Sequence, residues 1–178
     1  MKRVKILDKD FELFIEAADI QNSIKNVALA INEELRGKEP IFVAVLNGSF
    51  MFAGDLMKHV DISSEITFVR IASYKGVNST NDMKEVLGLN EDIKGRTVVI
   101  VEDIVDTGHT IDRLITQFEA LEPKEIKIAT LLFKPKALIK DVKPDYVALE
   151  IPNDFIVGFG LDYDGYGRNL QDIYKIKE

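Results

Sequence analysis

The 178-residue chain has no cysteine, which excludes disulfides, zinc–thiolate sites and a thiol nucleophile. It also lacks any apolar run approaching the roughly 20 residues needed to cross a membrane. The basic start Met1-Lys2-Arg3-Val4-Lys5 leads into charged residues rather than an apolar leader, so a cytoplasmic location is expected. Positive charge is in deficit: 23 Lys and Arg stand against 30 Asp and Glu, a net charge of −7. Binding to a phosphate backbone requires a basic surface, so nucleic acid is not expected as a partner, and without an apolar span neither is a membrane. An anionic substrate has to be drawn by local cations or by a bound metal. Repeats, low-complexity tracts and linkers are missing too, which leaves a single domain over residues 1–178. A chain of this length buries about 70% of the surface its unfolded form exposes, and the 46% apolar content supplies a core.

The stretch with the most chemistry is Val98-Val99-Ile100-Val101-Glu102-Asp103-Ile104-Val105-Asp106-Thr107-Gly108-His109-Thr110. Four β-branched apolar residues read as a strand buried on both faces, which should end at the Glu102-Asp103 pair. The apolar spacing from Ile111 to Phe118 fits an amphipathic helix. Strand, acidic tip, glycine-containing loop and helix start make an α/β unit whose ligand site lies at the carboxyl end of the strand. Such a loop offers backbone N–H groups to an anion. Gly108 allows a close approach to phosphate, and Thr107 and Thr110 add hydroxyl donors. A solvated acidic loop with a threonine cap is the plainer alternative.

The rest of the chain repeats this logic. Phe11 to Leu35 has helical spacing throughout, and Gly37 suits its end. Ile41 to Leu46 is a second buried strand. It runs into Asn47-Gly48-Ser49, a second candidate anion loop, and then a helix from Phe50 to His59. A strand over Ser64–Ala72 is followed by a polar run from Ser73 to Lys84, too long for a tight turn and readable as an active-site lid or an exposed hairpin. Val86 to Leu89 returns as a strand. Glu125–Phe133 and Asp145–Leu149 are further strands, with Lys134 directly after the first. The segment Ile151 to Tyr163 is apolar, aromatic and punctuated by glycine.

The 98–110 stretch resembles the phosphoribosyl-pyrophosphate (PRPP) motif of type I phosphoribosyltransferases: four apolar residues, acid-Asp, two apolar residues, a variable position, then Thr-Gly-x-Thr. The run from Ile151 to Leu170 resembles the C-terminal segment of the hypoxanthine-guanine branch. The resemblance implies an α/β fold with a central, mostly parallel sheet flanked by helices. The core would span about 38–150. The N-terminal residues and about 151–178 would form a small hood, and a mobile lid would carry Ser73 and Tyr74. It implies transfer of the phosphoribosyl group from PRPP to hypoxanthine or guanine, with Mg²⁺ as cofactor, in a homodimer or homotetramer.

By the same resemblance, the 5′-phosphate would lie on Asp106, Thr107, Gly108, His109 and Thr110. Asp106 would also be the catalytic base. Glu102 and Asp103 would face the ribose and Mg²⁺. Asn47, Gly48 and Arg168 would hold pyrophosphate, with Asn47 replacing the lysine usual in the branch. Lys134 would meet the 6-oxo group of the purine, Phe155 would stack on it and Ile156 would offer backbone groups to its edge. Asp162 would also belong to the purine-binding group and hold a second Mg²⁺, through water or directly. A xanthine-guanine enzyme and a non-catalytic PRPP sensor of the same fold are the alternatives.

Overall fold

The structure, a computed structural model, describes residues 2–74 and 83–177. In chain order the elements are β1 (Arg3–Ile6), β2 (Lys9–Ile15), α1 (Ala17–Glu34), β3 (Ile41–Leu46), α2 (Phe50–Met57), β4 (Glu65–Tyr74), β5 (Met83–Leu87), β6 (Thr97–Val105), α3 (His109–Glu119), β7 (Glu125–Phe133), β8 (Tyr146–Glu150), β9 (Ile156–Val157) and β10 (Ile173–Ile176).

Six strands form the main sheet in the order β5-β4-β3-β6-β7-β8, parallel except for the antiparallel edge strand β5. Alternation along the buried strands sends side chains to opposite faces. Phe42, Ala44, Val99 and Val101 pack with Ile20, Ile24, Ile31 and Phe52 of α1 and α2. Ile41, Val43, Val98 and Ile100 pack with Ile111, Leu114 and Phe118 of α3. Helices on both faces keep the parallel ladder out of water.

The chain ends meet in a second, antiparallel sheet, β1-β2-β10-β9. Here one expectation fails. Phe11 to Ile15 is strand, not helix, and α1 begins only at Ala17. Phe11 pairs with Val4 on one side and Ile176 on the other, and its ring is fully buried with Ile6, Val157 and Tyr174. Pairing with residues more than 150 positions away outweighs the local helical spacing, as tertiary contacts do with weak propensities.

A second correction concerns β6. The strand does not end at the acidic pair but continues to Val105, paired with β7 as Glu102↔Thr130, Ile104↔Leu132 and Val105↔Phe133. Its pairing with β3 stops at Ala44↔Val101. The neighbour on one side is enough to keep the strand extended. The lid expected over the Ser73–Lys84 run falls, for residues 75–82, outside the described residues. The backbone of β4 carries Ser73 and Tyr74 beyond Arg70, which pairs with Leu46 at the end of β3.

Candidate active site

Strand order places the site. From β3 the chain crosses through α2 to β4 on one side of it, while β6 lies on its other side and leads through α3 to β7. The winding reverses between β3 and β6, and ligands of open α/β sheets bind at the carboxyl ends of the strands at such a switch point. Both candidate anion loops, Asn47-Gly48-Ser49 after β3 and Asp106-Thr107-Gly108 after β6, border this crevice.

Glu102 and Asp103 occupy the place where β6 has left β3. Glu102 is only 5% exposed. Burial, and then the adjacent Asp103 charge, push its carboxyl well above the ordinary value; burial also raises Asp103, against the opposing pull of the Arg168 cation. The Asp103 N–H donates to Glu102 Oε1 (3.1 Å), and the Ile104 N–H donates to Asp103 Oδ1 (2.9 Å). Two adjoining buried acids are costly without a cation, which is a reason to read the pair as functional. Gly48 lies flush against this pair: a Cβ there would overlap the Asp103 carboxylate. The Leu46–Asn47 peptide leading into that loop is cis.

The phosphate-loop candidate is held from beneath. The Thr107 carbonyl accepts from the Ile139 and Lys140 N–H groups at 3.0 and 3.1 Å. Gly108 has φ +84°, and a Cβ on it would meet Val142 Cγ2 at 2.7 Å, so glycine is needed both for the turn and for the packing. Helix α3 starts at His109 with no side-chain cap. Its first N–H groups have no intrahelical partner, and they border a cavity of about 210 Å³ lined by Glu102 through Ile111. Thr107, His109 and Thr110 all line it.

Lys134 follows β7, and its N–H donates to the Val105 carbonyl (3.0 Å) beside the loop. Its side chain is buried at 8% exposure, and Nζ lies 3.1 Å from Asp106 Oδ2. Lys134 and Asp106, expected from the sequence to serve the base and the proton transfer, therefore touch.

The hood brings the remaining groups. Phe155 is 47% exposed. Its ring packs tilted on Phe11 at 6.3 Å and edge-on to Tyr163 at 5.9 Å, and the Tyr163 hydroxyl donates to Asp8 (2.8 Å). Phe155 is thus braced and still accessible. Ile156 is buried in β9, opposite Lys175. Arg168 donates from Nη1 to the Gly160 carbonyl (2.6 Å), and its Nη2 sits 2.6 Å from Asp162 Oδ1. Asp162 Oδ2 also accepts from the Gly165 N–H (2.6 Å). Arg168 and Asp162, assigned to different ligands from the sequence, are partners of each other.

The sequence pattern does not single out Phe11, Tyr163 or Gly160 as neighbours of these groups. The helical spacing of Phe11 hid its strand, and only chain closure reveals its contact with Phe155. A larger hollow of about 460 Å³ opens at the amino ends of the strands, lined among others by Lys38, Glu65, Arg96 and Lys124. Arg96 is already paired with Glu65 and Lys38 with Glu125, so the described carboxylates and loops of the switch point remain the better candidate.

Compared with known families, the chain matches the phosphoribosyl transferase domain over residues 16–164, and it belongs to that family. The particular likeness is to hypoxanthine-guanine phosphoribosyltransferases. The chain is 38% identical over 175 residues to the protein of that name from Streptococcus thermophilus (strain CNRZ 1066), covering 97% of each. Among solved structures it resembles a hypoxanthine-guanine phosphoribosyltransferase from Bacillus anthracis, crystallised with a HEPES molecule in its active site. The TM-score is 0.85 at 36% identity, covering 93% of this chain and 98% of the other. It also resembles the Trypanosoma cruzi hypoxanthine phosphoribosyl transferase, studied for the role of its C-terminal region in oligomeric state and activity. There the TM-score is 0.85 at 30% identity, covering 98% and 95%.

Proposed function

We propose that this phosphoribosyltransferase acts in purine salvage, joining PRPP and hypoxanthine or guanine to give IMP or GMP and pyrophosphate. The observation that carries this reading is the contact between Lys134 and Asp106 beside the uncapped start of α3. It joins a purine-binding cation to the loop suited to a sugar phosphate. The 5′-phosphate takes the N–H groups and hydroxyls of Asp106 to Thr110, and the ribose hydroxyls face Glu102 and Asp103. Pyrophosphate lies toward Asn47, Gly48 and Arg168. The purine stacks on Phe155, with its 6-oxo group on Lys134 and its edge on the Ile156 backbone. Ser73 and Tyr74 close over PRPP and exclude water.

In the transfer, a purine ring nitrogen forms a bond to the anomeric carbon of ribose as the bond to pyrophosphate breaks. The proton on that nitrogen passes to Asp106, whose carboxylate is held in place by Lys134. General base catalysis of this kind is typically worth 10²–10⁴-fold. Arg168 meets the negative charge that the leaving group gains, with forked donors fitted to phosphate.

Among the described residues no three His, Asp or Glu side chains cluster as a metal site. The adjacent oxygens of Glu102 and Asp103, strained by burial without a full counter-charge, nevertheless fit a hard cation that keeps its waters and takes further oxygens from substrate. Mg²⁺ held there supplies charge neutralisation for the leaving pyrophosphate. Asp162, whose oxygens face the Gly165 N–H and Arg168, would help hold a second Mg²⁺.

Residues 1–178 work as a single domain, with a core over about 38–150 and a hood from the chain ends, assembled as a homodimer or homotetramer. No described helix is long and apolar enough to cross a membrane, and we place the activity in the cytoplasm. The test is an ultraviolet assay of hypoxanthine, guanine and xanthine, each with PRPP and Mg²⁺. Turnover of hypoxanthine and guanine is expected. Turnover of xanthine alone would favour the xanthine-guanine alternative, and none at all would favour the sensor.

A further inference from the structure

Two glycines face each other where the hood meets the core. Gly160 lies between β9 and β10 with φ +99°. Its backbone is fixed from one side by Arg168: the Gly160 N–H donates to the Arg168 carbonyl (2.9 Å), and the Gly160 carbonyl accepts from Arg168 Nη1 (2.6 Å). On its other side, a Cβ at Gly160 would overlap the Gly48 carbonyl oxygen. A Cβ at Gly48 would in turn overlap the Asp103 carboxylate. Hood, pyrophosphate loop and acidic pair are therefore stacked in contact, with no room for a methyl group at either junction. The far end of the loop is already anchored, because fully buried Ser49 donates from Oγ to the Val45 carbonyl at 2.7 Å. The purine half of the site lies outside this stack: Phe155 rests on Phe11 and Tyr163, and Lys134 on Asp106.

We propose that Gly160 is a positioning residue, whose bare backbone lets the hood press the Asn47–Gly48 loop against Asp103 and so sets the pyrophosphate half of the site independently of the purine half. The proposal rests on the functional reading above and goes beyond it by assigning a selective kinetic role to a residue that touches no substrate.

The experiment compares Gly160→Ala with Gly95→Ala. Both positions have positive φ, so both variants carry backbone strain. Gly95 (φ +68°) has nothing within 4 Å of an added Cβ and lies at the opposite end of the sheet. For G160A, kcat/KM for PRPP falls at least tenfold, and so does kcat/KM for pyrophosphate in the reverse reaction, while KM for the purine stays within about twofold of the wild-type value. G95A keeps all these constants and loses only thermal stability. A G160A enzyme that behaves like G95A, or whose defect is confined to the purine KM, overturns the proposal.

If G160A does not fold, amide hydrogen exchange on the wild-type protein decides. Adding pyrophosphate with Mg²⁺ should slow exchange at residues 47–49 and 159–161 together. Slowing at 47–49 alone overturns the proposal. Wild-type protein without transferase activity would instead overturn the functional reading, and the proposal with it.

Discussion

Asp106→Asn separates charge from shape at the centre of the site. The amide keeps an oxygen for Lys134 but can neither take a proton nor balance the ammonium. Two magnitudes follow. The pair is 3.1 Å apart, with the Asp106 side chain 41% exposed and Lys134 only 8%. With one partner in water, the pair itself contributes about 1 kcal/mol or less. Leaving the buried ammonium on a neutral partner costs on the order of 1–3 kcal/mol, or roughly 2–12 °C in Tm for a chain of this size. Loss of the general base costs about 10²–10⁴-fold in turnover, equivalent to about 3–5 kcal/mol of barrier. The catalytic effect therefore exceeds the structural one. The assay is initial-rate IMP formation at saturating hypoxanthine and PRPP, alongside a thermal melt. Turnover of D106N within tenfold of wild type, or a PRPP KM that rises as much as turnover falls, would refute the assignment. Adding Lys134→Met completes a double-mutant cycle, in which groups in direct contact should couple by about 0.5–3 kcal/mol; additive losses would mean that the two do not act as a unit.

Phe155→Ala removes the exposed stacking face, worth about 1–3 kcal/mol per base, so KM for the purine should rise roughly 5–150-fold with KM for PRPP nearly unchanged. Equal changes in both, from the same initial-rate assay, would contradict the stacking role. Glu102→Gln tests the strain in the acidic pair. The folded state holds the Glu102 proton more tightly than the unfolded chain, because burial and Asp103 raise it above the ordinary 4.5. This contribution therefore becomes destabilising as pH rises from about that value through the raised one. E102Q should melt a few degrees above wild type at pH 7, without added metal, and no higher at pH 4; a gap that does not depend on pH would refute the cause given. Chelating divalent cations should abolish transfer, restored by Mg²⁺, while full turnover in excess chelator would refute the role given to the pair.

The central βα unit was legible because its signals are local. The four β-branched residues 98–101, the acids and the Thr-Gly-His-Thr turn each act within a few positions, and the glycine at 108 is the one residue its φ of +84° and the packing of Val142 permit. The hood was much less legible. Phe11 and Phe14 share a face in a helix but fall on opposite faces of a strand, and only β1 and β10 decide between the two. The strand boundary at Glu102 misled for the same reason: whether a carboxylate can stay in a ladder depends on β7, which is not adjacent in sequence. Side-chain pairing was the least legible of all. Lys134 and Asp106, and Arg168 and Asp162, each read singly in the sequence as groups awaiting a ligand, because nothing in their spacing says that they meet.

Those pairings bear on how an acidic protein attracts a polyanion. Among the site residues, Glu102, Asp103, Asp106 and Asp162 bring four carboxylates, against the two cations Lys134 and Arg168, each of which already faces one of those acids. Both cations are thus already matched by a carboxylate, so the side chains of this site offer no surplus of positive charge to a polyanionic substrate. Under the proposed function, attraction would come from uncharged donors, the N–H groups of the loop at Thr107–Thr110 and of the Asn47–Gly48 turn, and from positive charge that arrives with the substrate. Asn47, which offers a hydrogen bond but no charge, fits such a scheme. Under the proposed function the buried Glu102 and Asp103 would be the counterpart of that incoming cation: they lie at the switch point, against Gly48 on one side and beside the loop after β6 on the other.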